Sequence, residues 1–200
     1  MKLPIYARSQ LEAQNLDWSG IAPEHRKRFL NPGEAEALVA IARSVSPITM
    51  IEIGVNEGRT ARLLLDNVPS LREYVGIDVL PGYVTQCPVQ RRELPQRPGW
   101  MAASDPRFRS IVTARGTLDL TPEDLPTAQV VFIDGDHGRI AVEHDAKLAR
   151  AIVPPGGVII FHDYHDLGTV DVRDVLDEFA AEGAPIVHVE GTWIAFEKVR

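Results

Sequence analysis

The stretch VVFIDGDHGRIAVEHDAKLARAIVPPGGVIIFHDY, residues 130–164, reads as an apolar strand, a helix and a second apolar strand. Residues 130–133 form an unbroken β-branched and aromatic run, as a strand covered on both faces requires, and stop at Asp134, Gly135, Asp136 and His137. Residues 158–161 repeat the pattern and stop at His162, Asp163, Tyr164 and His165. Between them Ile140, Val142, Leu148, Ile152 and Val153 are spread among charges, and the run Pro154, Pro155, Gly156, Gly157 ends the segment, which reads as a crossover helix. Such a crossover makes its two strands parallel, so both polar ends lie on one edge of the sheet. Ligands of open α/β sheets bind beyond that edge. Capping accounts for one aspartate after a strand. It does not account for carboxylates and imidazoles converging, a set that can hold a metal or move protons.

The chain as a whole bounds the rest. Its 200 residues suit one domain, and 44% hydrophobic content with 15 glycines and 15 prolines is ordinary for a globular α/β protein. Cys87 is the one cysteine, which excludes an intramolecular disulfide framework and multi-cysteine zinc sites; its Pro-rich surroundings read as those of an incidental thiol. No apolar run reaches membrane-spanning length, and the start MKLPIYARSQLEAQ lacks the apolar stretch of a signal peptide, so a cytoplasmic location and no membrane partner are expected. A formal charge of −7 repels a phosphate backbone, and the short basic cluster His25, Arg26, Lys27, Arg28 reads as a solvated face, so no nucleic-acid partner is expected.

Upstream, residues 1–30 carry scattered apolar positions with no sustained period beyond a short helix around 9–16, and form an arm that either covers the core or contributes to a substrate lid. An exposed arm is also compatible with a homodimer. Asn31, Pro32, Gly33, Glu34 reads as a helix start, with a capping Asn, Pro at the first helical position and an acid three residues after the cap. Leu38, Ile41, Ala42 and Val45 then fall on one helical face, up to Pro47. Residues 49–53 form a strand that enters a turn bearing Gly54 and Gly58 and continues into a helix marked by Ala61, Leu63, Leu64 and Leu65. The next strand, residues 74–78, ends in Asp78, 20 residues beyond Gly58, where an acid commonly takes ribose hydroxyls. A plain tight turn and a helix cap are the alternatives for these two features.

Residues from about 80 to 109 contain Pro81, Pro88, Pro95, Pro98 and Pro106 and read as a long loop, with Tyr83, Trp100 and Met101 as packing or ligand-contacting positions. A third strand at 109–114 follows and ends at Arg115, Gly116, Thr117. Thr121, Pro122, Glu123, Asp124 marks a helix start. After the central unit, Val172, Val175, Leu176 and Phe179 give a helix ending at Gly183, and strands at 185–189 and 193–196 close the chain as an antiparallel hairpin.

A glycine turn followed by an acid on the next strand suits a nucleotide-bearing ligand. Dinucleotides need G-x-G-x-x-G, whereas only Gly54 and Gly58 stand here, and Glu52 and Glu57 flank the turn where a pyrophosphate would be repelled. A ligand carrying ammonium and sulfonium charges would be attracted instead.

With IEIGVNEGRTA, YVGIDV, VVFIDGDH, PPGGVIIFHDY and the closing hairpin, the chain resembles a class I S-adenosylmethionine-dependent methyltransferase, and specifically the small macrocin-type O-methyltransferases, over residues 32–200. The resemblance implies an α/β, Rossmann-like three-layer sandwich: a seven-stranded, mostly parallel sheet with one antiparallel strand in the C-terminal hairpin. It divides the chain into an arm at 1–30 and a methyltransferase domain at 31–200. It also implies that Glu52, Gly54, Asn56 and Gly58 line the methionine part of the cofactor, that Asp78 holds the ribose, and that Gly116 and Thr117 border the adenine. By the same likeness Asp134 borders the cofactor and, with His162 and Asp163, holds a divalent cation, while His137 resembles the general base.

Hydroxyls are poor nucleophiles at neutral pH; a divalent ion lowers their pKa and an imidazole can take the proton. The chain departs from the metal-dependent relatives in one position, since they present oxygen ligands where His162 stands. An imidazole ligand tilts the site from Mg²⁺ toward Mn²⁺, Fe²⁺ or Zn²⁺. Alternatively His162 faces the core and only Asp134 and Asp163 touch metal, or no metal binds. The expected activity is O-methylation of a small hydroxylated metabolite, a sugar or natural product. A cofactor-binding domain without turnover is the first alternative. A nicotinamide-dependent reductase is the second, opposed by the missing third glycine and the lack of a Tyr-x-x-x-Lys pair.

Overall fold

The computed structural model describes residues 2–12, 14–26, 30–85, 87 and 94–200. Lys27 and Arg28 of the basic cluster and Pro88 of the Pro-rich stretch lie outside the described residues. In chain order the elements are β1 (Ile5–Tyr6), α1 (Glu34–Arg43), β2 (Thr49–Ile53), α2 (Arg59–Asn67), β3 (Glu73–Val79), β4 (Phe108–Thr113), β5 (Val130–Ile133), α3 (Arg139–Ile152), β6 (Val158–Phe161), α4 (Val172–Ala181), β7 (Ile186–Val189) and β8 (Ala195–Lys198). Short 3₁₀ turns fill several connections, among them Pro122–Asp124, where Thr121 and Asp124 form the capping box that their order predicts.

The strands make one sheet in the order β1-β7-β8-β6-β5-β2-β3-β4. Every pairing is parallel except those of β8, which runs antiparallel to both β6 and β7. The expected seven strands are therefore present, and an eighth joins them. The two residues of β1 extend the edge beyond β7, with Ile5 opposite His188. Leu3 and Ile21 of the same arm are buried, so the arm covers the core. Arg26 turns back into it, donating from Nε to the Ile21 carbonyl at 2.7 Å.

Period-2 alternation in the central strands explains the three layers. Met50, Phe132, Val158 and Ile160 pack with α1 and α2 on one face, while Ile51, Val131, Ile133, Ile159 and Phe161 pack with α3 and α4 on the other. All four residues of β5 and of β6 are buried, as their unbroken apolar runs require. On α3 the apolar stripe is Ala141, Val142, Leu148, Ala149 and Ile152; Ile140 is displaced from it and lies 62% exposed.

Several boundaries differ from the sequence expectation: among the described residues the helix expected around 9–16 is a 3₁₀ turn at Arg8–Gln10, and the last strand runs Ala195–Lys198 instead of 193–196. Pro32 stays in the turn before α1, because Gly33 at φ 86° breaks the helical path and the helix begins at Glu34. At the other end of the Pro-rich loop the chain settles early: Gly99 and Met101 donate their amides to the carbonyls of Asn56 and Glu57 at 2.7 and 2.9 Å, which ties the loop to the glycine turn. Trp100, expected to pack or touch a ligand, is 41% exposed and meets the His25 ring edge-on.

Candidate active site

From β2 the chain moves outward to β3 and β4 on one side and then, through β5, to β6 on the other. Neighbours β2 and β5 thus mark the point where strand order reverses, and their carboxyl ends must part there. Three backbone bonds carry the ladder one residue beyond the strands: Gly54 N–H to Ile77 O at 2.8 Å, Asp134 N–H to Ile53 O at 2.8 Å, and His162 N–H to Ile133 O at 3.0 Å. The residues just after them line a cleft of about 1010 Å³.

At one end of the cleft the titratable groups meet. His137 Nε2 lies 2.9 Å from Asp163 Oδ2 and 3.7 Å from Asp134 Oδ1. His162 Nδ1 lies 3.3 Å from Asp134 Oδ1 and 3.2 Å from Asp163 Oδ2. The two crossover ends singled out by the sequence are therefore one cluster. Burial opposes the charge on His137, yet hydrogen bonds to Asp134 and Asp163 outweigh it and lift its pKa to about 9. Asp163 shows the reverse balance: burial works against its charge, but the two imidazoles hold it well below the usual carboxylate range. It also adopts φ 58°, a left-handed conformation uncommon for a residue with a Cβ.

The loop bearing His137 is itself held. Asp136 Oδ1 accepts the Gly138 amide at 3.0 Å and Oδ2 accepts the Tyr83 hydroxyl at 3.0 Å, so a residue of the Pro-rich stretch reaches across the cleft. Asp171 donates its amide to the His137 carbonyl at 3.0 Å and accepts the Arg139 amide at 2.9 Å, which anchors the start of α3.

The other end of the cleft holds the residues that the resemblance gives to the cofactor. Asp78 Oδ2 accepts the Asn56 amide at 2.6 Å and Oδ1 accepts the Val79 amide at 2.7 Å. Burial raises the Asp78 pKa against these bonds. Asn56 itself sits at φ 47° and its side chain accepts the Glu57 amide at 2.7 Å. Gly116 and Thr117 border the same space, with Thr117 buried. Charge around the turn differs from the simple picture of two flanking carboxylates. Glu57 pairs with Arg59, and Glu52 is buried with Tyr74 donating to it at 2.8 Å. Burial pushes the Glu52 carboxyl well above its usual pKa.

Glycine at 54 has a structural cause as well. With φ 86°, a Cβ there would come within 2.1 Å of the Asp134 carbonyl oxygen, so the turn and the loop after β5 touch through backbone. At Gly58 the corresponding Cβ would meet Gly99 at 3.0 Å.

Three residues of the site were not anticipated in these roles. Glu34, read as a capping acid, does bond Asn31 but is fully buried and also reaches His162 Nε2 at 3.1 Å and the Trp193 amide at 2.7 Å. Asp145, on α3, is buried against the cleft and accepts the Thr117 hydroxyl. His165 stacks obliquely on Trp193 with ring centroids 4.3 Å apart and turns Nε2 to within 3.7 Å of Asp163.

The donor chemistry fits a divalent cation. Asp134, His162 and Asp163 each offer one ligand atom, all within 4.8 Å of one another, and two carboxylates with one imidazole suit first-row transition ions. The cleft fits a cationic nucleoside better than a polyphosphate, because Asp78, Asp134, Asp136 and Asp163 line it while Arg59 and Arg115 are both engaged by neighbouring acids.

No helix among the described residues is long and apolar enough to cross a membrane. A search among curated proteins finds no match to the chain. Among solved structures, cofactor-bound Rv0187 from MTB is 18% identical, covering 91% of this chain and 85% of its own, with a TM-score of 0.63. The O-methyltransferase TomG from Streptomyces achromogenes, in complex with SAM, is 16% identical over 96% of this chain and 94% of its own, with a TM-score of 0.61. SAH-bound methyltransferase PaMTH1 of Podospora anserina is 12% identical over 91% and 84%, also with a TM-score of 0.61. At these identities the likeness is one of fold. Residues 51–164, more than half of the chain, match the family model described as a methyltransferase domain, and the chain belongs to that family.

Proposed function

We propose that the protein transfers a methyl group from S-adenosylmethionine to a hydroxyl of a small metabolite, a sugar or natural product, with a divalent cation held by Asp134, His162 and Asp163. The observation that carries this reading is the meeting of His137, His162, Asp134 and Asp163 at the point where strand order reverses, beside the Gly54–Gly58 turn. TomG, which shares the fold, is described as an O-methyltransferase in complex with SAM and supports the same assignment.

In this reading Asp78 takes the ribose hydroxyls, Gly116 and Thr117 border the adenine, and Glu52, Gly54, Asn56 and Gly58 form the wall along the methionine part. When bound, the sulfonium supplies an electrophilic methyl group and the cation lowers the pKa of the acceptor hydroxyl. A cation on Asp134 and Asp163 would draw off the charge that lifts the His137 pKa to about 9, leaving a neutral ring able to take the acceptor's proton. The acceptor oxygen bonds to the methyl carbon as the carbon–sulfur bond breaks, leaving S-adenosylhomocysteine. Leu30, Leu167, Val170 and Trp193 also line the cleft, and this reading gives that apolar wall to the acceptor. The imidazole at His162 favours Mn²⁺, Fe²⁺ or Zn²⁺ over Mg²⁺.

Purified protein incubated with S-adenosylmethionine, Mn²⁺ and a panel of hydroxylated sugars and phenols should release S-adenosylhomocysteine with at least one acceptor. Calorimetric binding of the cofactor with no release across a broad panel would instead favour a binding domain without turnover. Binding of NAD in preference to S-adenosylmethionine would overturn the reading.

A further inference from the structure

Glu34 lies at the start of α1, 128 residues before His162 in the chain, yet its carboxylate touches the ring. It is 0% exposed. Its oxygens are surrounded by donors: Oε2 accepts the Asn31 amide at 2.7 Å, while Oε1 accepts the Trp193 amide at 2.7 Å and the Asn31 side-chain Nδ2 at 3.1 Å. Three N–H donors converging on its two oxygens favour the carboxylate, which only accepts hydrogen bonds, so the remaining neighbour of Oε2, His162 Nε2 at 3.1 Å, carries a proton.

The consequence falls on the other ring nitrogen. Nδ1 faces Asp134 Oδ1 at 3.3 Å and Asp163 Oδ2 at 3.2 Å. A lone pair there would meet two negative oxygens, an arrangement that holds together only with positive charge between them. A proton can supply it, and so can a cation.

We propose that Glu34 is a positioning residue of the cation site: by fixing the Nε2 proton of His162 it presents Nδ1, together with Asp134 and Asp163, to a divalent cation. The inference deepens the functional reading above and rests on its cation. It also gives the segment before α1 a part in the chemistry. Asn31, which lines the cleft, and Trp193, which stacks on His165, both hold the carboxylate that aims the ligand. Partners of this kind orient metal-bound histidines and alter metal affinity by about 10- to 100-fold.

Glu34→Gln is the direct test, since the amide keeps the shape and removes the charge. Whichever way the amide turns, its NH₂ meets a backbone N–H, that of Asn31 or that of Trp193, and the charge that holds the Nε2 proton is gone. Mn²⁺ affinity, measured by calorimetry without cofactor or acceptor, should fall tenfold or more, and ¹⁵N spectra should show Nε2 protonated in the wild type and the pKa of the ring lowered in the variant. In a His162→Asn background the same substitution should leave Mn²⁺ affinity unchanged, which a merely structural role of Glu34 would not predict. Glu34→Asp, which keeps the charge, should retain the Nε2 proton and serves as a second probe if Glu34→Gln folds poorly. A wild-type ring with Nε2 unprotonated overturns the proposal, as does wild-type Mn²⁺ affinity in folded Glu34→Gln. Failure of the wild type to bind Mn²⁺ overturns the proposal and the metal reading together, whereas normal Mn²⁺ binding that ignores Glu34 overturns the proposal alone.

Discussion

Gly54 and Asp134 touch through their backbones: a Cβ at position 54 would lie 2.1 Å from the Asp134 carbonyl oxygen and 2.6 Å from its carbonyl carbon. The turn that follows β2 and the loop that follows β5 therefore cannot move independently. Gly54→Ala must both adopt φ near 86° and push the Asp134 backbone away. Left-handed strain costs about 1–2 kcal/mol and overpacking about 1–3 kcal/mol, so a loss of about 3 kcal/mol is expected in urea unfolding. Because the displaced group is Asp134, metal affinity should fall with stability. An alanine variant with unchanged unfolding midpoint would show that the loop yields at no cost.

Asp145 should make stability depend on pH. Burial raises its pKa from 3.8 to about 7, against the Thr117 hydrogen bond that favours the charged form. Between those values the folded protein keeps a proton that the unfolded chain has lost, so stability falls as pH rises through the window. Above about 7 the full cost of burying the charge is present. Asp145→Asn, which can still accept the Thr117 hydroxyl, removes that titration. The difference in unfolding free energy between variant and wild type should therefore grow in the variant's favour from about pH 4 to about pH 7, and parallel curves would contradict the assignment.

His137→Ala should separate binding from turnover. The ring contacts Asp163 and Asp134 at the cation end, whereas the residues assigned to ribose and adenine, Asp78, Gly116 and Thr117, lie at the other end. Affinity for S-adenosylmethionine should stay within about threefold, while kcat falls by about 10²- to 10⁴-fold, the usual contribution of a positioned proton acceptor. Full activity in the variant would remove His137 from the reaction.

The two apolar runs at 130–133 and 158–161 were enough to place β5 and β6 as parallel strands inside the sheet and to bring their polar ends together. That inference works because a strand buried on both faces has no other way to be written. The edge strand β1 was not legible, since two residues, Ile5 and Tyr6, carry no periodicity. Asp145 did leave a signal: it falls on the same helical stripe as Ala141, Leu148 and Ile152, where an acid is out of place unless it faces something polar. Glu34 left none of its own, because an acid in the first turn of a helix is what capping and the helix dipole favour anyway. Only the tertiary approach of β6 and the β7–β8 hairpin, which brings Trp193, gives it a second role.

Asp134→Asn bears most directly on the cation. The substitution preserves shape and leaves an oxygen 3.3 Å from His162 Nδ1, so the local packing can persist, but it removes one of the two negative charges that face the proposed ion. Divalent ions of the Mn²⁺ type depend on such charge, and a carboxylate lost from a set of three ligands leaves a site of two. The Mn²⁺ concentration giving half-maximal turnover should rise at least tenfold, with maximal turnover partly restored at high metal. Melting of the metal-free variant, followed by circular dichroism, separates this from a folding defect: added Mn²⁺ should raise the wild-type midpoint and leave that of the variant nearly unmoved. An unchanged metal dependence would mean that the cluster works through its protons alone, with His162 and His137 supplying the positive charge that Asp134 and Asp163 require.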